Sequence, residues 1–312
     1  MCYIYNGDDM KNKVVLIGCG NVGMSYAYAL LNQHTYVEEL VLVDLNKDKI
    51  IGEADDLKHA LPYSPSKINI HVGTYADCED ARIVVLAAGA NQAPGETRMD
   101  LINKNSKIFK EIVTKVMEAN FNGIFIVATN PLDVMTYLTL KYSGLKPNQI
   151  IGSGTTLDTA RLRYLLSEKV NVCPKDIEAY VIGEHGDSEF VSWSNATIGL
   201  SKIDNFIDKP SMNQIEEEVR NSAYEIIKRK GATCYGIGSS LVRITSAILE
   251  DKKIILPVSS WDNENKICIS TPAIVGSNGV QNKIYIPLNK DEEEKLINSI
   301  KVIQNAIMNI EQ

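Results

Sequence analysis

The first half of the chain alternates short, unbroken apolar runs with stretches of helical periodicity. Residues 13–17, 40–43, 82–88 and 123–128 form the apolar runs, and none of them alternates polar with apolar positions. A strand exposed on one face would alternate, so the pattern predicts strands buried on both faces, as in a parallel sheet. Between them, residues 21–33 and 100–118 read as helices, the second with Leu101, Ile108, Ile112 and Val116 near one stripe. Strand and helix in regular succession, joined by right-handed crossovers, predict a doubly wound α/β arrangement.

The second half has a different rhythm. Residues 213–230 read as a long amphipathic helix carrying Ile215, Val219, Ile226 and Ile227, with Gly231 as its stop. Three apolar runs follow, 254–258, 267–269 and 283–286, separated by turn chemistry such as Asn278-Gly279, and these predict antiparallel strands. A closing helix should turn Leu296, Ile297, Ile300, Ile303 and Ile307 inward, with the acids from Asp291 to Glu294 complementing its dipole. The expected organisation is two domains meeting near residue 150: residues 1–152 with the parallel sheet, and residues 153–312 as an α+β unit.

Composition narrows the function. At 312 residues, 45% hydrophobic and 23% charged, the chain can build two ordinary cores, which excludes low-complexity, collagenous and small disulfide-stapled classes. The net charge of −7 repels phosphate backbones and anionic lipid, so no nucleic-acid or membrane partner is expected. No apolar run approaches the ~18 residues of a membrane span, and the first residues carry acids where a secretory signal has bases. The six scattered cysteines lack any Cys-x-x-Cys pair and suit reduced thiols in a cytoplasm. The four histidines show no ligand spacing, so no metal is expected.

Gly18-Cys19-Gly20-Asn21-Val22-Gly23 follows the first predicted strand and opens the first helix. Glycines there permit a tight turn and close approach of a pyrophosphate to the helix N-terminus. By itself the pattern equally describes a turn that needs small residues. Asp44, ending the second strand 21 residues past Gly23, supplies the carboxylate that accepts from adenosine ribose hydroxyls. That carboxylate repels a 2′-phosphate, and the neighbouring Leu45 and Asn46 offer no arginine, so NAD is favoured over NADP.

Three further segments carry candidate chemistry. Arg98 ends the polar stretch Gly89-Ala90-Asn91-Gln92-Ala93-Pro94-Gly95-Glu96-Thr97-Arg98, which reads as a mobile lid or an ordinary loop. Asp158 and Arg161 stand at an i,i+3 helical spacing, either a plain ion pair or two groups aimed into a cleft with partners elsewhere. His185 lies in Ile182-Gly183-Glu184-His185-Gly186-Asp187, where a lone histidine is more often structural than catalytic. Together with Thr129-Asn130-Pro131, and in this order, these segments resemble the L-lactate dehydrogenase branch of the lactate/malate dehydrogenase family, nearly end to end.

The resemblance implies an N-terminal Rossmann domain binding NAD, a C-terminal catalytic domain, and reduction of pyruvate to L-lactate at the fermentative end of glycolysis. In it, His185 exchanges the proton, its ordinary pKa near ~6.5 suiting both directions. Asp158 orients that imidazole, Arg161 clamps the substrate carboxylate with a bidentate fork, and Arg98 polarises the ketone. Asn130 bridges nicotinamide ribose and substrate, with Asn130-Pro131 a candidate cis bond. By position alone, Ser153 falls near the nicotinamide, Thr233 at the substrate side chain, and Val22, Lys49, Tyr75, Gly89 and Ala90 along the cofactor. Gln92 meets the third carbon of the keto acid, where malate enzymes carry arginine, so pyruvate is favoured over oxaloacetate. The alternatives are a malate or branched 2-hydroxy acid dehydrogenase on the same scaffold and a non-catalytic NAD sensor, the latter disfavoured because the acid and the clamp are both present. A homotetramer is implied. Members activated by fructose 1,6-bisphosphate pair an arginine with a histidine at the effector site; Arg163 matches the first, but Glu178 stands at the second, which predicts weak or no activation.

Overall fold

A computed structural model describes residues 12–90 and 98–311, the side chains of Arg98 and Glu311 excepted. Strands β1 (Lys13–Ile17), β2 (Glu39–Val43), β3 (Asn69–Val72), β4 (Ile83–Leu86), β5 (Ile124–Val127) and β6 (Ile150–Gly152) pair in parallel in the order β3-β2-β1-β4-β5-β6. Every residue of β1, β4 and β5 is buried, as unbroken apolar runs require. Their alternate side chains serve opposite faces. Val14, Leu16, Val85 and Ile126 pack under α1 (Asn21–Leu31), α2 (Lys47–Ala60) and α7 (Tyr235–Leu249), whereas Val15, Ile17, Leu86 and Val127 pack under α3 (Arg98–Glu118) and α4 (Leu132–Ser143).

β3 and β6 have no counterpart among the predicted runs. β3 is the edge strand, with Ile70 alone buried, and β6 has three residues, too short for a pattern. Past β6 come α5 (Thr156–Val170) and five two-residue strands, β7 (Ile177–Glu178), β8 (Val181–Ile182), β9 (Phe190–Val191), β10 (Thr197–Ile198) and β11 (Ser201–Lys202). Then come α6 (Lys209–Lys230), α7, the antiparallel β12 (Ile254–Asp262), β13 (Ile267–Gly276) and β14 (Gly279–Lys283), and α8 (Lys290–Glu311).

β12 joins the edge of β6 through Ser259 and Gly152, so one nine-stranded sheet runs through residue 152 rather than stopping there. A Cβ on Gly152 would lie 2.3 Å from Thr136 Oγ1 and 2.8 Å from Ser259 Cβ, so only glycine lets the strands meet.

Four details depart from the pattern reading. α6 starts at Lys209, capped by Asp208, whose side chain accepts from Ser211 N at 3.0 Å. Gly231 does end it, at φ 85°. The last strand is Gly279–Lys283, not 283–286, because the hairpin closes at Gly276–Gly279 and its polar outer edge hides it from a hydrophobicity scan. Ile297 is 50% exposed, one residue off the stripe of Leu296, Ile300, Ile303 and Ile307, and Ile226 and Ile227 also remain on the surface of the protomer.

Candidate active site

The strand order reverses between β1 and β4, and ligands of doubly wound sheets sit beyond the carboxyl ends of the strands at that crevice. Gly18 leaves β1 at φ 98°, and a Cβ there would meet Ala88 N at 2.3 Å. A Cβ on Gly23 would lie 2.0 Å from Gly18 O, so turn and helix pack with no side chain between them. Gly20, by contrast, has open space where its Cβ would be. It is also the N-cap of α1, with no side-chain cap and no acid in the first turn, so the helix N–H groups are left for an anion. That is the cradle a pyrophosphate needs.

Asp44 follows β2 with both oxygens fixed, Oδ2 accepting from Cys19 N at 2.7 Å and Oδ1 from Asn46 N at 3.0 Å. It shares a cavity of about 370 Å³ with Gly18, Gly20, Tyr75, Gly89 and Ala90, walled by Ile108 and Ile112 of α3. An adenosine fits this mixture of an apolar wall and the Asp44 carboxylate, with Glu111 of α3 as a second acid in the lining. Lys49 lies on the far side of the turn and donates to Cys19 O at 3.0 Å. It steadies the glycine turn rather than lining this cavity.

A second cavity of about 260 Å³ opens at the same carboxyl ends of the strands, lined by Val22, Asn130, Ser153, Asp158, Arg161, His185 and Thr233, among others. Its acid–base group is built from two directions. α5 is stapled to β8 by Thr155 Oγ1 donating to Val181 O at 2.6 Å and by Thr159 Oγ1 accepting from Val181 N at 3.0 Å. β8 then feeds Gly183, at φ 101°, which exchanges backbone bonds with Ser270 of β13 and turns the chain toward α5. His185 Nδ1 thereby lies 2.7 Å from Asp158 Oδ2, while Arg161 Nη1 donates to Asp158 Oδ1 at 2.8 Å. The i,i+3 ion pair and the cleft partnership coexist, one on each carboxylate oxygen.

Asp158 is 3% exposed and His185 25%, so the couple is held from behind and reachable from the cavity. Burial pulls the His185 pKa down, but the charge and hydrogen bond of Asp158 outweigh it and raise the pKa from 6.5 to about 9. The ordinary value expected from sequence therefore does not apply, because Asp158 stabilises the imidazolium. Burial pushes Asp158 upward, and His185 and Arg161 together bring it below the ordinary carboxylate value.

Two positioning groups escaped the sequence reading. Asp133, 2% exposed at the start of α4, accepts from His185 N at 2.7 Å and from Ser259 Oγ at 2.6 Å. It therefore ties the Asn130 loop, the His185 loop and β12 together. Burial raises its pKa to about 6 against the opposing hydrogen bonds of Ser259 and His185. Asn105 of α3, 1% exposed, accepts from Ala90 N at 2.8 Å and donates to Asn130 O at 2.9 Å, joining the ends of β4 and β5. Nothing in the local sequence marks either residue, because their partners lie in distant segments. Asp133→Ala should strand several buried donors, lower Tm by the equivalent of about 2–4 kcal/mol, and reduce kcat more than cofactor affinity.

The Asn130-Pro131 bond is cis, as the motif suggested. Gln92 lies outside the described residues, as does the side chain of Arg98, whose backbone begins α3. Asp158, His185 and Glu189 do bring possible metal ligands within 4.8 Å of one another, a grouping that sequence spacing could not reveal. Two of the three are already bonded to each other, and the neighbouring Arg161 cation opposes a second positive charge.

The lactate/malate dehydrogenase NAD-binding domain matches residues 12–152, and the α/β C-terminal domain of the same family matches residues 155–312. L-lactate dehydrogenase 2 of Bacillus cereus is 48% identical over 306 residues, covering 95% of this chain and 97% of that protein. L-lactate dehydrogenase of Oceanobacillus iheyensis is 50% identical over 303 residues, 94% of each. The minor L-lactate dehydrogenase of Enterococcus mundtii, crystallised in a ligand-bound form, superposes with a TM-score of 0.94 at 41% identity over 97% of this chain and 99% of that one. With a dinucleotide crevice opening onto a carboxylate–imidazole couple and an arginine, and with both halves of the chain matched, the protein belongs to the lactate/malate dehydrogenase family.

Proposed function

We propose that the chain is an NAD-dependent L-lactate dehydrogenase that interconverts pyruvate and L-lactate, with residues 1–152 forming the NAD-binding domain and residues 153–312 the catalytic domain. The observation that carries this reading is the meeting of His185, Asp158 and Arg161 in one cavity beside the cofactor crevice. When bound, NADH supplies the hydride and NAD⁺ accepts it. Arg161, with Nη1 engaged by Asp158, has its other N–H groups to offer the substrate carboxylate. His185, with Nδ1 on Asp158, has Nε2 for the carbonyl oxygen, donating a proton in reduction and taking it in oxidation. Arg98 polarises the ketone, and such a donor is worth about 10²–10³ in rate. Asn130 orients substrate and ribose, Ser153 lies by the nicotinamide, Thr233 by the substrate side chain, Val22 and Tyr75 support the cofactor, and Lys49 steadies the glycine turn. Turnover of pyruvate, oxaloacetate and 2-ketoisocaproate, followed by NADH oxidation, tests the assignment; faster turnover of either of the last two would establish a malate or branched-chain enzyme instead.

The raised His185 pKa makes a signed prediction. Pyruvate reduction needs the imidazolium, so its kcat/KM should be flat through neutral pH and fall above about 9. Lactate oxidation needs the neutral ring, so its kcat/KM should climb toward the same pH. Initial rates in both directions, with cofactor saturating, check this.

Regulation follows from Arg163. Its Nη2 lies 3.3 Å from Glu178 Oε2, its Nε donates to Ala179 O at 3.1 Å, and its guanidinium stacks 4.9 Å from the Tyr180 ring. An anion would have to displace a carboxylate from its own arginine. Millimolar fructose 1,6-bisphosphate should therefore leave the half-saturating pyruvate concentration unchanged.

We place the enzyme in the cytoplasm as a homo-oligomer, a tetramer by family. Supporting the assembly, Tyr28, Ile51 and Tyr235 are each more than half exposed on α1, α2 and α7, large apolar surface for a lone protomer to leave in water. Among the described residues no helix is long and apolar enough to cross a membrane.

A further inference from the structure

The mechanism above leaves one buried carboxyl of the substrate cavity without a task. Glu189 stands four residues past His185, 6% exposed, with Oε2 3.9 Å from His185 Nδ1. Its backbone is well held, N donating to Gly186 O at 3.1 Å and O accepting from Arg220 Nη2 at 3.2 Å. Its side chain forms the wall between the substrate cavity and an outer groove separating α6 from α8, since Asp187, Glu189 and Arg220 line both.

Among the described residues no arginine or lysine that faces Glu189 hydrogen-bonds its carboxyl, although the buried Arg220 Nε has no partner. From α5, Asp158 presents a like charge already shared between His185 and Arg161. From α6, Arg220 also contacts Glu216 Oε1, at 3.4 Å, and Lys295 of α8 bonds that same Glu216 oxygen at 3.0 Å. Asp187, Asp291 and Glu294 around the outer groove add only further acids. Asp133 supports His185 from below. Among the described residues, no arginine or lysine forms an ion pair with the Glu189 carboxyl. A nearly buried carboxylate beside another carboxylate, with no cation of its own, costs more than a carboxylic acid in the same place.

Resting on the dehydrogenase reading, we propose that Glu189 works as a neutral carboxylic acid and is the alkaline gate of the site: protonated, it is a polar wall that admits the anionic keto acid, and deprotonated, it is a second carboxylate that repels it. Burial and the Asp158 charge push its pKa well above the ordinary value despite His185, Arg161 and Arg220, which agrees with the geometry. Glu189 does no proton transfer here. It determines which charge state of the cavity meets the substrate.

Glu189→Gln copies the neutral form and is the test, at saturating NADH. At neutral pH its KM for pyruvate should stay within about threefold of wild type, with the pH midpoint assigned to His185 unmoved. At alkaline pH, once Glu189 ionises, the wild-type KM should steepen by a further factor of up to roughly ten per pH unit, and the variant should lack that extra slope. Difference infrared spectra at neutral pH should show a protonated-carboxyl band in wild type that the variant loses. A tenfold or larger rise in KM at neutral pH, a fall of the His185 midpoint by half a unit or more, or an unchanged carboxyl band would each mean that Glu189 is ionised, and would overturn the proposal. A wild type that binds NADH yet turns over no pyruvate would sink the dehydrogenase reading instead, and the infrared comparison would still decide the protonation state.

Discussion

Asp158→Asn should lower kcat for pyruvate reduction by about 10²–10⁴ while leaving NADH affinity within a few-fold of wild type. The substitution keeps the shape of the side chain and removes its charge. His185 then loses the partner that raises its pKa from 6.5 to about 9, and burial, which pulls the other way, prevails. At neutral pH the ring becomes mostly neutral and has no proton to give. An amide can also turn its NH₂ toward Nδ1 and force the wrong tautomer, and Arg161 loses the carboxylate that fixes it. The same change has a stability signature. The folded His185 pKa is raised, so its contribution is fully present below about 6.5 and is lost as pH rises through about 9. The folded Asp158 pKa is lowered, so its contribution is present above 3.8 and is lost as pH falls through the folded value. The wild-type advantage in Tm over the variant should therefore be greatest in mildly acidic solution and shrink above about pH 9. A loss of kcat below tenfold would reduce Asp158 to a structural ion pair.

What could be read along the chain, and what could not, divides by the distance over which a residue acts. The strands of the parallel sheet announce themselves because a strand buried on both faces must be apolar throughout, as Val14 to Ile17 are. The glycine turn and Asp44 could be found because a phosphate turn and a ribose carboxylate belong to one continuous strand-turn-helix-strand segment. β3 and β6 were missed because an edge strand and a three-residue strand carry too little pattern. A count of isoleucines points Ile297 inward, but the stripe of α8 is narrower than that count suggests. In the site, each catalytic candidate was weak alone, and only the order of the motifs, read as a family resemblance, made the group plausible. Asp133, Asn105 and Glu189 stayed invisible for the opposite reason. Their meaning lies in partners 52 residues away for Asp133 and 25 for Asn105, and for Glu189 in the lack, among the described residues, of an arginine or lysine paired with its carboxyl. The shift of His185 to about 9 likewise required knowing that Asp158 lies 2.7 Å from its ring.

Gln92→Arg should invert the substrate preference, raising the ratio of kcat/KM for oxaloacetate to that for pyruvate by roughly 10²–10⁴. The argument rests on charge and not on shape. Oxaloacetate is pyruvate with a second carboxylate on its third carbon, and Gln92 is assigned to face that carbon. A neutral amide leaves the extra charge desolvated and unpaired, a penalty of several kcal/mol. An arginine supplies the missing cation in the bidentate geometry that carboxylates favour. It should harm pyruvate at the same time, because the methyl group would leave the guanidinium unpaired, so both numerator and denominator move. Branched keto acids discriminate the charge account from a simple change in pocket size. Their extra methylenes are worth only about 1–3 kcal/mol, and they carry no second charge. Gln92→Arg should therefore not improve 2-ketoisocaproate, whereas an enlarged pocket would. If oxaloacetate gains less than tenfold over pyruvate while NADH binding is intact, Gln92 does not meet the substrate, and the preference for pyruvate must be set by another group of the cavity, Thr233 first among them.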